Sequence, residues 1–79
     1  MDNKTTAQQR GIIHAYLRAC GNITTIEART MLGVMHPAWR IMELRRGGAN
    51  IVTHWATVLT PKGKHRVARY VLLSGGGNG

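Results

Sequence analysis

Apolar residues recur at helical spacing through the first half of the chain and then alternate at strand spacing. Ile12, Ile13, Tyr16, Leu17 and Cys20 lie three and four apart, the interval that lines one side of an α-helix. A capping box starts that helix, either Thr5 with Gln8 or Thr6 with Gln9, and Gly21 ends it. Ile23 is a short extended link. Thr24 with Glu27 makes a second, stronger box for a helix from about Thr25 to Leu32. Its buried stripe is Ala28, Met31 and Leu32, and Val34 packs beneath the turn at Gly33. Pro37 suits the first position of a third helix, because its φ is fixed and it has no N–H to lose. Ala38, Ile41, Met42 and Leu44 form the apolar side of that helix, and Arg45 and Arg46 complement its negative end before Gly47-Gly48. From Ile51 to Leu59 the composition shifts to Val, Ile, Thr and Trp, which favours a strand. Residues 60–65 hold turn formers, and Arg66 to Leu73 reads as the returning strand of a β-hairpin.

The expected class is therefore α+β: three helices followed by a two-stranded β-hairpin. Residues 1–4 are expected to be flexible, 5–73 to form one domain, and the low-complexity end 74–79 to be disordered. At ~100–200 residues per domain, 79 residues leave room for one small core.

Charge narrows the function. Eleven Lys and Arg, eight of them Arg, oppose three Asp and Glu, for a net charge of +8. A polyanion is the expected partner. The acids are too few and too scattered for paired-carboxylate catalysis or hard-metal binding, so an enzyme is not expected. No run of ~18 apolar residues predicts a membrane span, and the N-terminus is not a signal peptide. Met1 reads as a natural start, which predicts that the whole protein is in view. A single Cys forms no internal disulfide, in keeping with a cytoplasmic location. His14, His36, His54 and His65 lack ligand spacing, so no metal and no cofactor is expected. Cys20 is expected to be a small buried residue, Tyr16 and Tyr70 to pack in the core, and Met31, Met35 and Met42 to fill gaps.

The order of elements carries a resemblance. Gly21-Asn22-Ile23-Thr24-Thr25-Ile26-Glu27-Ala28 is similar to the start of helix two in small phage-type winged helix-turn-helix proteins, and Leu32-Gly33-Val34 to their turn. Trp39 to Gly48 resembles their third helix, with its Arg-Ile-x-x-Leu-Arg-x-x-Gly pattern. Ile51-Val52-Thr53, Gly63-Lys64 and Val67 to Leu72 resemble their wing strands. The resemblance covers roughly residues 10–73 and implies a winged helix-turn-helix domain that binds double-stranded DNA, with helix three in the major groove.

Opposite the apolar side of helix three, spacing places His36, Trp39, Arg40, Glu43 and Arg46, the candidates for base contact. Arg40 has the donors for guanine O6 and N7. Glu43 either accepts from cytosine N4 or orients a neighbouring Arg. Trp39 has two readings: packing against the wing or helix two, and a contact residue if exposed. Thr25, Arg45, Lys62, Lys64, His65 and Arg66 are the candidates for the DNA backbone, four of them crowded at the hairpin tip, and the wing 60–66 can reach either the backbone or an adjacent minor groove. The bland alternative is a solvated polar helix and a charged loop. A single module covers only ~600–1,000 Å² of its own surface on DNA, so a homodimer or cooperative oligomer is expected, through residues 50–59 or helix one. The competing function is a winged-helix module that binds a host or phage protein. A transcriptional regulator and an excisionase-like factor of a phage or mobile element are not separable at this level.

Overall fold

The capping residues set the frame. In a computed structural model that describes residues 5–73, the Thr5 hydroxyl accepts from the Gln8 amide at 3.1 Å, and the Gln8 side chain accepts from the Thr5 amide at 2.9 Å. This box opens α1, Thr6–Cys20. The Thr24–Glu27 box closes at 2.9 and 3.0 Å and opens α2, Thr25–Leu32. Gly21 and Gly33 end these helices with φ of 89° and 68°, where a side chain would be strained. Pro37 opens α3, Pro37–Arg46. The expectations for 1–4 and 74–79 fall outside the described residues.

The link at Ile23 is more than a link. Asn22–Thr24 forms strand β1. The hairpin strands are β2, Ile51–Thr60, and β3, Gly63–Leu72. The sheet has three strands in the order β1-β3-β2, all antiparallel, where the sequence suggested two. Only the partner strand reveals a three-residue strand, because three residues carry too little alternation to read.

Alternation along the ladder divides the sheet into two faces. The inner face carries Ile23, Ile51, Ala68 and Tyr70, which join Ile13, Leu17, Ala28, Val34 and Ile41 in one core. Among the described residues no polar or charged side chain is fully buried. The helices cover this inner face at the root of the hairpin, and the hairpin continues beyond them as a wing.

Several expected core positions lie outside. Cys20 is exposed, because it sits in the last turn of α1, where the helix has passed the packed layer. Met31, Met35 and Met42 are surface residues rather than gap-fillers. Trp39 stands 61% exposed. Burial and the neighbouring Cys20 and Glu27 push the half-buried Tyr16 hydroxyl above its ordinary value of 10.0.

Candidate nucleic-acid interface

The buried line of α3 runs through Pro37, Ile41 and Leu44, spaced by four and three residues. The sequence placed Ala38 in that line. Pro37 takes that position instead. Ala38, Trp39, Met42 and Arg46 face solvent.

Arg40 and Glu43 lie on the flank toward α1. The Arg40 side chain is only 14% exposed. Its Nε lies 3.1 Å from Glu43 Oε1, an ion-pair distance at an angle that makes no hydrogen bond. Its Nη2 donates to Glu43 Oε2 at 3.3 Å. Arg10 reaches over from α1 and donates to Glu43 Oε1 at 3.1 Å. One carboxylate thus holds two guanidinium groups and ties α3 to α1. Arg10 had no role in the sequence reading, since a partner 33 positions away leaves no local signal.

On its other flank α3 meets the sheet. Arg45 Nε donates to the Ile51 carbonyl at 2.8 Å, and its Nη2 to Thr53 Oγ1 at 2.7 Å. Arg45, expected on the DNA backbone, is the clasp between α3 and β2. Thr25 donates weakly to the Ala68 carbonyl at 3.4 Å and sits half-buried beside β3.

Strand pairing reorganises the wing. Thr60 pairs with Gly63, so the turn is Pro61-Lys62, and Lys64, His65 and Arg66 are strand residues. Alternation separates them. Lys64 pairs with Leu59 and Arg66 with Thr57, on the inner face. His65 pairs with Val58 on the outer face, where both line a groove with Ile26 and Val67. The four tip cations form no single cluster.

Trp55 was not singled out from the sequence. Strand alternation from Ile51 puts it on the inner face, opposite Ala68, but beyond the reach of the core. It is 61% exposed, and the Arg66 guanidinium lies over its ring, 4.9 Å from the centroid. This stack orients Arg66.

Both described acids have structural tasks: Glu27 caps α2 and Glu43 binds two arginines. His36, Arg46, Lys62, Lys64 and His65 have no side-chain partner among the described residues. The exterior therefore presents uncompensated positive charge along the end of α3 and the wing, with exposed apolar groups between. No three His, Cys, Asp or Glu among the described residues gather as metal ligands would. No helix among the described residues is long and apolar enough to cross a membrane.

The winged helix-turn-helix domain family matches residues 8–75, nearly the whole chain. No curated protein and no solved structure matches.

Proposed function

We infer the function of this chain from one premise: it belongs to the winged helix-turn-helix domain family. Members are DNA-binding, regulatory modules and not catalysts, and that general role extends to this chain. The finer reading is sequence-specific binding of double-stranded DNA, by a cytoplasmic regulator or excisionase-like factor of a phage or mobile element.

In this reading α3 enters the major groove with Trp39 and Arg46 toward base edges and His36 at the start of the helix. Trp39 and Met42 supply apolar surface for thymine methyl groups, and Arg46 supplies donors for guanine. Arg40 and Glu43 set the angle of the helix against α1 instead of reading bases. Arg45 and Thr25 hold the helix and β3 in place while lying near the backbone. Lys62, Lys64 and Arg66 neutralise phosphates from the wing, with His65 to one side. The observation that carries the reading is the division of charge. Both described acids are held in structural contacts, while the cations of the wing and Arg46 are free to meet an anion.

Three large apolar residues, Met35, Trp39 and Met42, are exposed together around α3, and they favour a second reading: docking of a protein partner. Salt dependence separates the two. A DNA binder with about five phosphate contacts loses affinity with a log–log slope near about −4.5. Absence of binding to any duplex at ~50 mM salt selects the protein partner. Selection of bound fragments from random DNA then returns the motif and the spacing of its half-sites.

One module covers a small area of duplex, so tight binding calls for a second copy on the same DNA.

A further inference from the structure

The two free edges of the hairpin differ in a way that points to where that second copy docks. Leu73 N donates to the Asn50 carbonyl at 2.9 Å, which sets the phase of the β2–β3 ladder. Even-numbered residues of β2 bond to β3. Odd-numbered ones, Ile51, Thr53, Trp55, Thr57 and Leu59, aim their N–H and C=O groups away from it. The Arg45 bond to the Ile51 carbonyl agrees with that phase and closes the root of the edge. From Trp55 to Leu59 the outward groups have no partner among the described residues.

On the far side of β3, β1 covers only Arg69 to Val71. The open stretch beyond it carries Lys64 and Arg66, and charge on an edge repels a second strand. By contrast β2 has ten residues without a single Lys, Arg, Asp, Glu or Pro, in a chain of net charge +8. It is the one long strand on which two copies can approach without bringing like charges together. Trp55 and Leu59 on this edge are 61% and 78% exposed.

We propose that β2 is a homodimer interface, in which the edge from Trp55 to Leu59 pairs antiparallel with the same edge of a second copy about a two-fold axis at Thr57. The register follows from the chemistry. Centring on Thr57 sets Trp55 opposite Leu59 of the partner subunit, an aromatic–aliphatic pair, and Ala56 opposite Val58 of the partner subunit. Every outward amide and carbonyl from Trp55 to Leu59 then finds a mate. Centring on Trp55 would instead run the partner strand into Ile51, where Arg45 already bonds. An isologous pair of this kind has its axis perpendicular to the sheet. Both helical layers therefore lie on one side of a continuous six-stranded sheet, with both α3 helices and both sets of Lys64 and Arg66 on that side. This deepens the DNA reading by naming the contact between copies, and its test contains no DNA, so either can fail alone.

Thr57→Pro removes an N–H that β3 does not use, so it spares the hairpin and blocks the edge. Thr57→Lys places like charges against each other across the axis. Sedimentation equilibrium at ~100 µM protein should return twice the 8.7 kDa chain mass for the wild type. Both variants should return the single mass with an unchanged circular dichroism spectrum. If Thr57→Pro unfolds, Thr57→Lys decides. A monomeric wild type at that concentration overturns the proposal, and so does a dimer that persists in a folded Thr57→Lys variant.

Discussion

The two sides of α3 handle the same chemistry in opposite ways. On the side toward α1, Arg40 is largely buried and shares Glu43 with Arg10. On the outer side Arg46 stands free beside the exposed Trp39 and Met42. Six positions separate Arg40 from Arg46, and their angular positions about the helix axis decide which one joins two helices and which one stays exposed. Counting cations along such a helix therefore overstates the positive charge it leaves exposed. The cation that best fits the family's Arg-Ile pattern is the one the fold takes for itself.

Four substitutions bear on this division. The largest effect is expected at Ile41, which is fully buried between the two sides. Ile41→Ala should cost ~2–5 kcal/mol in urea denaturation, with the loss shared by everything α3 does. A smaller loss would mean that the helix is held mainly by its ion pairs. Glu43→Gln comes next. It strips two arginines of their anion and should destabilise the fold by ~1–3 kcal/mol, partial exposure moderating the effect. The slope of DNA affinity against salt should not move, and a changed slope would place Arg40 in contact with DNA.

Trp39→Ala should do the reverse. Folding stability should stay within ~0.5 kcal/mol, while preference for a selected site over random duplex falls by ~1–3 kcal/mol. Equal weakening on both duplexes would remove Trp39 from base reading. The smallest effect is that of Lys64→Ala, which should lower the salt slope by about one on every duplex and leave site preference intact. Loss of preference there would erase the distinction between helix and wing.

Local rules carried much of the fold. Capping boxes, left-handed glycines and Pro37 are interactions within a few residues, so they can be read from the chain alone, and helix starts and stops fell where these residues stand. The family resemblance rests on the same ordered signals. Periodicity also marked Ile13, Leu17, Ala28 and Ile41 in the core, and Val34 and Tyr70 were expected there too. It erred where an element runs past the packed layer, as at Cys20 and Met31, because period describes direction and not what lies in that direction.

What the amino-acid sequence determined by itself was three helices followed by a hairpin, their order, the excess of positive charge and the near absence of acids to balance it. Each of these is a property of residues or of neighbours in the chain. Tertiary structure alone decided that Glu43 faces Arg10, that β1 is a strand, that Arg66 lies over Trp55, and that Lys64 and His65 point to opposite faces of the wing. Each of those depends on register or on a helix rotation of less than one turn. Such small displacements are set by how side chains from distant segments fill one core, and no local pattern encodes them.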